Sequence, residues 1–350
     1  MWWLVRIVFV TAAFAAALPL CGPSDDSFQG VWKAERQSIA ADVSEYCPAS
    51  LAAIRRDYQR GYICEKNRTY DVKTHVPAAC RVLSLESAAP ALTACLGGGA
   101  NIAFVGDSLV KQQYWAFRCE LERVAARTSG GQHVPWPPST LTASFFDSHH
   151  LRSHMPCFPA CATNKTYRAQ NSQATRNGAC VACNPADGRP VKALPTTQEP
   201  WFTTLPNTTR ALVVGSGTWW NIERAGANES RLYRAMLSTV APALNELTTK
   251  GIVVLWLDIP PQGASAMEKS SYGWKHFGTK NEEARRKLSV FAPHVIFLNT
   301  TAATAARRMS APNTVTTAGL HWCSPGNGTV TAFITQHVVH ILLAACQSQH

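Results

Sequence analysis

From residue 101 onward, short runs rich in Val, Ile and Leu alternate with longer segments whose apolar residues recur every three or four positions. The short runs fall at residues 102–105, 211–215, 252–258 and 295–299. Such runs are typical of strands buried on both faces of a parallel sheet, and the periodic segments are typical of crossover helices. The alternation therefore predicts an α/β domain with at least four parallel strands.

The helical pattern is clearest in three segments, residues 229–250, 281–291 and about 328–346. In open parallel sheets, ligands bind beyond the carboxyl ends of the strands. This rule directs attention to the loops that begin at Gly106, Gly215 and Asp258.

The N-terminus has the layout of an export signal, in which Arg6 precedes an apolar run that ends in small residues. The run after Arg6 is short for a bilayer span, which favours cleavage, whereas counting from Trp2 gives a segment long enough to be an anchor. We therefore predict a signal peptide or a signal anchor at residues 1–21. Both alternatives place the remainder of the chain in a luminal or extracellular compartment.

Twelve cysteines agree with an oxidising compartment, where thiols pair as disulfides. Four of them have a spacing that also suits a zinc site, but export favours disulfides: Cys157, Cys161, Cys180 and Cys183. No metal or nucleotide cofactor is predicted, because neither a phosphate-binding glycine loop nor metal-ligand histidine spacing is present. Six sequons predict N-glycosylation, at Asn67, Asn164, Asn207, Asn228, Asn299 and Asn327.

Hydrophobic residues make up 46% of the chain and charged residues 16%, a balance typical of a globular protein with a sizeable core. The net charge of +11 is spread without a basic run, which argues against a nucleic-acid partner. An acidic polysaccharide or a membrane surface is a better candidate, and a basic surface that is merely solvated explains the charge equally well.

Composition also suggests how the chain is divided. Residues 22–100 form a cysteine-rich, loop-rich segment that we expect to pack on the main domain, which occupies residues 101–350. Within the main domain, residues 130–206 are rich in Pro, Ser, Thr and Asn, and they predict an irregular insertion.

Ser108 follows the first predicted strand at a turn that Gly106 permits, and it precedes a helical segment. A helix N-terminus presents unpaired N–H groups and partial positive charge, which stabilise an oxyanion formed there. Ser108 is therefore a candidate nucleophile. The alternative is that Asp107 or Ser108 simply caps the helix.

A serine nucleophile needs a base within hydrogen-bond reach, which is usually a histidine. His321 is the best placed of the eleven histidines, because it lies in a loop between the last predicted strand and the last helix. His337 and His340 belong to that helix, and we interpret them as packed or solvated side chains.

Two motifs together, Phe104-Val-Gly-Asp-Ser-Leu109 and His321-Trp-Cys-Ser-Pro-Gly326, resemble those of the trichome-birefringence-like proteins, in the PC-esterase branch of the GDSL/SGNH hydrolases. Other motifs follow in that family's order: Phe28-Gln-Gly-Val-Trp32, Tyr46-Cys-Pro48, Cys64-Glu-Lys-Asn67, Pro77-Ala-Ala-Cys80, Cys119-Glu-Leu121 and Leu212-Val-Val-Gly-Ser-Gly-Thr-Trp-Trp220. The resemblance implies a three-layer, flavodoxin-like (SGNH-type) α/β sandwich. It also implies a Golgi-luminal, single-pass type II membrane protein that moves acetyl groups from an acetyl donor to polysaccharide or glycan hydroxyls. A secreted protein is the alternative.

By the same resemblance, Ser108 becomes acetylated and His321 is the general base. Gly106, Asp107, Gly215 and Gly217 belong to the oxyanion and active-site loops. The implied disulfides are Cys21–Cys80, Cys47–Cys119 and Cys64–Cys323. Trp219, Trp220 and Trp322 are candidates for stacking against sugar rings, with Trp274 as a further possibility.

The chain departs from the family pattern at Ala318, where family members place an aspartate that orients the histidine. Either a backbone carbonyl or Asp258 is then left to orient His321. Gly215, where an asparagine is usual, is another departure, as are Gly319 and the pair Lys111-Gln112. Two further functions stay open: a hydrolytic acetyl esterase using the same intermediate, and a glycan-binding protein that has lost activity.

Overall fold

The structure is a computed structural model, and it describes residues 21, 30–34, 73–77, 80–128, 141–147, 151, 179–183, 190–195, 201–217, 229–260, 277–301, 304 and 330–349. The described strands are β1 (Gly30–Ala34), β2 (Lys73–Pro77), β3 (Asn101–Gly106), β4 (Thr142–Asp147), β5 (Ala179–Cys183), β6 (Pro190–Pro195), β7 (Thr209–Gly215), β8 (Val253–Leu257) and β9 (Ile296–Leu298). The α-helices are α1 (Leu85–Leu96), α2 (Ser108–Thr128), α3 (Glu229–Thr249), α4 (Phe277–Phe291) and α5 (Val330–Gln349).

Five parallel strands form the central sheet in the order β4-β3-β7-β8-β9. The four strands and three helices predicted from the apolar patterns are confirmed, with ends that shift by a few residues. Taken in chain order, the strands of this sheet are arranged 2-1-3-4-5, which is the flavodoxin-like order. In this order, β3 and β7 lie side by side although β4 separates them along the chain.

Helices cover both faces of the sheet. On one face, α1, α2 and α5 bury a cluster that includes Phe104, Val213 and Leu255. On the other face, α3 and α4 pack against strand residues such as Val105 and Trp256. Neighbouring residues of one strand belong to different clusters because successive strand side chains point to opposite faces. The fold is therefore the predicted three-layer α/β sandwich.

The interpretation of residues 130–206 as irregular was wrong at β4 and at the antiparallel pair β5–β6. β4 lies at the edge of the central sheet, and none of residues 142–146 is fully buried. An edge strand does not need the continuous aliphatic run that identifies a central one. At the amino ends of the strands, the Asn101 amide bonds Ser144 (2.9 Å) and Thr209 (3.1 Å), which joins β4, β3 and β7.

Two disulfides have both cysteines among the described residues. The predicted Cys21–Cys80 bond is confirmed, and a second, unpredicted bond joins Cys95 in α1 to Cys346 in α5. Cys119 is disulfide-bonded, but its predicted partner Cys47 lies outside the described residues, as does the predicted Cys64–Cys323 pair. The side chains of Cys157, Cys161, Cys180 and Cys183 are also outside the described part of the chain.

The Cys95–Cys346 disulfide closes the chain across 251 residues and joins two helices of the same core cluster. We expect the double variant Cys95→Ser/Cys346→Ser to lose about 3–5 kcal/mol of unfolding free energy, because the cross-link restricts the unfolded chain. Denaturant unfolding under non-reducing conditions measures this loss. A double variant within 1 kcal/mol of wild type would contradict the prediction.

In α5, residues Val330–Ser348 are long and apolar enough to cross a membrane by length and composition. Most of this helix is buried against α1, α2 and β8, as in the core of a globular domain. His337 and His340 are buried in it, which confirms their interpretation as packed residues. His337 Nδ1 lies 2.9 Å from the Phe333 carbonyl, and His340 Nε2 bonds the Cys21 carbonyl. Burial lowers the pKa of His340, and the charge of Arg81 acts in the same direction.

Two of the six sequons fall in the described residues. Asn207 is exposed in the turn before β7, where a glycan would meet solvent. Asn299 is half-buried after β9, and its side-chain oxygen accepts a hydrogen bond from the Thr301 N–H at 3.2 Å. Glycosylation at both asparagines stays a prediction.

Candidate active site

The candidate site begins where β3 and β7 end side by side, with Gly106 paired to Gly215. A Cβ on Gly106 would lie 2.2 Å from the Gly215 carbonyl oxygen and 2.6 Å from Val110 Cγ2. The φ angle of +157° at Gly106 is also one that other residues rarely adopt. Glycine at this position therefore lets two backbones approach at the switch point of the sheet, where ligands bind in folds of this type.

Asp107 and Ser108 form the start of α2. The buried Asp107 carboxylate accepts a hydrogen bond from the Leu109 N–H at 3.0 Å, and the Asp107 carbonyl accepts one from the Lys111 N–H at 2.9 Å. Asp107 is thus the N-cap, which settles which of the two residues caps the helix. Ser108 is the first helical residue and is half-buried. Its hydroxyl lies at the positive end of a 21-residue helix.

Two buried side chains donate hydrogen bonds to backbone carbonyls of the loop after β7. The Tyr233 hydroxyl, from α3, donates to the Ser216 carbonyl at 3.2 Å. Lys280 Nζ, from α4, donates to the Gly217 carbonyl at 3.1 Å. Because the carbonyl and N–H of one trans peptide point in opposite directions, the Gly217 N–H points away from Tyr233. Gly217 is buried, and among the described residues no backbone carbonyl accepts a hydrogen bond from its N–H.

Ile259 links that loop to the start of α2. A Cβ on Gly217 would lie 2.1 Å from Ile259 Cδ1, so the glycine backbone rests directly on this side chain. Ile259 also clusters with Leu109, the residue after Ser108, and with Phe277. The Asn281 amide holds the backbone of Ile259 through two 3.0 Å hydrogen bonds, one to its N–H and one to its carbonyl. The segments that follow β3, β7 and β8 therefore pack against one another through the apolar side chain of Ile259.

Asp258 directly follows the carboxyl end of β8, on the side of the sheet where the sequence predicts the site, and it is almost completely buried. One of its carboxylate oxygens accepts a 2.7 Å hydrogen bond from Arg285 of α4 in an ion pair. Burial raises the pKa of Tyr233 well above its ordinary value, and the negative charges of Asp258, Glu283 and Asp107 raise it further. Tyr233 therefore stays protonated, as a hydrogen-bond donor must.

Five of the predicted site residues are brought together at the two adjacent strand ends. These are Gly106, Asp107, Ser108, Gly215 and Gly217. Asp258 follows β8 at the same edge. His321 and the tryptophans Trp219, Trp220, Trp274 and Trp322 lie outside the described residues, as does Ala318.

The sequence did not predict four side chains that support the site. Three of them bond to the backbone of the loops, and the fourth pairs with Asp258: Tyr233, Lys280, Asn281 and Arg285. In α4, a signal was available. Lys280 and Asn281 share a stripe with Phe277, Ala284 and Leu288, and all five are buried. Polar residues at the apolar positions of an amphipathic helix need buried partners, which here are loop backbone groups.

No group of three or more His, Cys, Asp or Glu side chains suitable for a metal ion occurs among the residues that the structure describes. The described arrangement offers backbone N–H groups and a hydroxyl at a helix N-terminus, which suits the binding of an oxyanion more than that of a cation. No protein-family model matches this chain, and no curated protein has a significantly similar sequence.

Proposed function

We propose that this chain is a serine-dependent O-acetyltransferase that acetylates polysaccharide or glycan hydroxyls in the Golgi lumen, held there by its N-terminal segment. The observation that carries the proposal is the position of Ser108. It is the first residue of α2 at the switch point of the sheet, and the next residue, Leu109, clusters with Ile259, on which Gly217 rests. A hydroxyl next to oriented N–H donors is the arrangement that acyl transfer requires.

In the proposed reaction, Ser108 Oγ attacks the carbonyl carbon of the acetyl donor while His321 takes the hydroxyl proton. The Gly217 N–H and the N-terminus of α2 stabilise the oxyanion of the tetrahedral intermediate. Collapse breaks the bond to the leaving group, which receives the proton from His321, and acetyl-Ser108 is formed. A sugar hydroxyl then attacks this ester and gives its proton to His321. Collapse of the second tetrahedral intermediate breaks the bond to Ser108 Oγ, which takes the proton from His321, and the products are the acetylated sugar and free Ser108.

The chain is long enough to bring the proposed base to the nucleophile. Gln113, about 8 Å along α2 from Ser108, donates from its side-chain amide to the Thr331 carbonyl in the first turn of α5 at 3.2 Å. The nine residues from His321 to Val330 can extend at most about 30 Å. His321 therefore has the reach that the proposal needs.

Asp258 is the candidate for orienting His321 in the absence of an aspartate at position 318. Its location at the carboxyl end of β8 supports this role. One of its carboxylate oxygens already forms an ion pair with Arg285 at 2.7 Å.

Transfer and hydrolysis differ in whether a sugar hydroxyl or water attacks acetyl-Ser108. Purified protein would be incubated with an activated acetyl ester, with and without a panel of neutral and acidic oligosaccharides. With wild type, we expect mass spectrometry to detect acetylation of at least one oligosaccharide in the panel. With Ser108→Ala, we expect no acetylated oligosaccharide. Free acetate as the sole product with every acceptor would replace the transferase assignment with an esterase.

A further inference from the structure

We propose that Tyr233 and Lys280 are positioning residues for acyl transfer, because they fix the Gly217 peptide in the orientation that receives the oxyanion. The inference rests on the proposed function, and it assigns a role to two buried side chains that take no part in the bond-forming steps.

Tyr233 acts through the peptide that joins Ser216 to Gly217. Its hydroxyl holds the carbonyl of this peptide, so the N–H at the other end is fixed on the opposite side. A carbonyl that accepts a hydrogen bond also polarises its peptide and strengthens the N–H as a donor. Tyr233 is fully buried, and its raised pKa keeps the hydroxyl protonated.

Lys280 acts on the next peptide and supplies charge. Its Nζ donates to the Gly217 carbonyl, and its side chain passes within 3.7 Å of the position that a Gly217 Cβ would occupy. A buried ammonium group destabilises a fold unless its interactions compensate for the lost hydration. Beside a developing oxyanion, the same positive charge lowers the energy of the transition state.

The following residue of α4 gives an independent reason to regard this contact as part of the site. Asn281 holds the backbone of Ile259, on which Gly217 rests. Adjacent side chains of one helix thus fix Gly217 and Ile259, and Ile259 clusters with Leu109, the residue after Ser108. Among the described side chains, Lys280 and Tyr233 bond to the peptides on either side of Gly217, so they set its orientation, whereas Asn281 holds Ile259 below it.

The test compares Tyr233→Phe and Lys280→Met with wild type in the hydrolysis of an activated acetyl ester. Each substitution removes donor atoms and leaves the packing nearly unchanged. We expect kcat to fall about tenfold in the tyrosine variant and about a hundredfold in the lysine variant, with KM within twofold, because the lost stabilisation is specific to the transition state. Tyr114→Phe is the matched control, since Tyr114 is a buried tyrosine with a bonded hydroxyl on the other face of the sheet, and it should keep the wild-type kcat.

The outcomes separate this inference from the function on which it rests. If a serine-reactive fluorophosphonate probe forms an adduct at Ser108 of wild type and the folded Tyr233→Phe variant keeps the wild-type kcat, the positioning role is overturned and the proposed function stands. If KM rises while kcat is unchanged, the two residues affect binding only, and the positioning role is again overturned. If wild type forms no adduct at Ser108, the proposed function and the inference fail together. Should Lys280→Met not fold, Tyr233→Phe alone decides.

Discussion

Replacing Ser108 with alanine is expected to reduce turnover of an activated acetyl ester at least about a thousandfold, because no acetyl-serine intermediate can then form. Helix α2 should still form. The N-cap hydrogen bond comes from Asp107 and not from Ser108, and alanine is well tolerated at the first helical position. Initial rates and thermal unfolding of the two proteins measure both effects.

Ser289→Ala is a suitable control, since it removes an exposed hydroxyl from α4 that bonds only the Arg286 carbonyl. We expect it to keep wild-type turnover. A Ser108→Ala variant that retains more than a tenth of wild-type turnover would exclude Ser108 as the nucleophile. A variant that loses activity because it is unfolded would be recognised by its circular dichroism spectrum.

Replacing Gly106 with alanine is expected to destabilise the fold by about 3 kcal/mol or more, because a clash with backbone adds to the strain at a positive φ angle. The added Cβ would lie 2.2 Å from the Gly215 carbonyl oxygen, which belongs to a neighbouring central strand and has little freedom to move. Equilibrium unfolding in denaturant measures the loss. Because the two strand ends form the candidate site, turnover should fall as well.

Substitutions at two other glycines distinguish the cost of backbone strain from the cost of a steric clash. Gly251 has a φ angle of +78° with open space around it, so Gly251→Ala should cost about 1–2 kcal/mol from strain alone. Gly278 lies in α4 with open space and an ordinary helical backbone, so Gly278→Ala should be neutral or stabilising by up to about 1 kcal/mol. Equal losses in all three variants would show that the approach of Gly106 to Gly215 is not what requires glycine.

The central strands could be predicted from sequence because each is buried on both faces and is therefore continuously apolar, as in Val253–Leu257. The strand Thr142–Asp147 was not predicted because it is an edge strand, half-buried and partly polar, and lacks that signal. The pairing of Cys95 with Cys346 was not predicted for a different reason. Cysteines 251 residues apart become neighbours only through the packing of α1 on α5, which no local pattern encodes.

The candidate site was predictable where local backbone chemistry decides the structure. A glycine after a buried strand, followed by Asp107 and Ser108, specifies a turn into a helix, and the structure has that turn. The supporting side chains were not predictable in the same way. Tyr233 and Lys280 come from separate helices, and their contact with one loop depends on the strand order that places β7 beside β3 and β8.

Labelling with a serine-reactive fluorophosphonate probe, followed by mass spectrometry of the digested protein, tests directly whether Ser108 is the nucleophile. We expect a single modified residue, Ser108, in wild type and no label in folded Ser108→Ala. Modification of a different residue, or the absence of label from well-folded wild type, would contradict it.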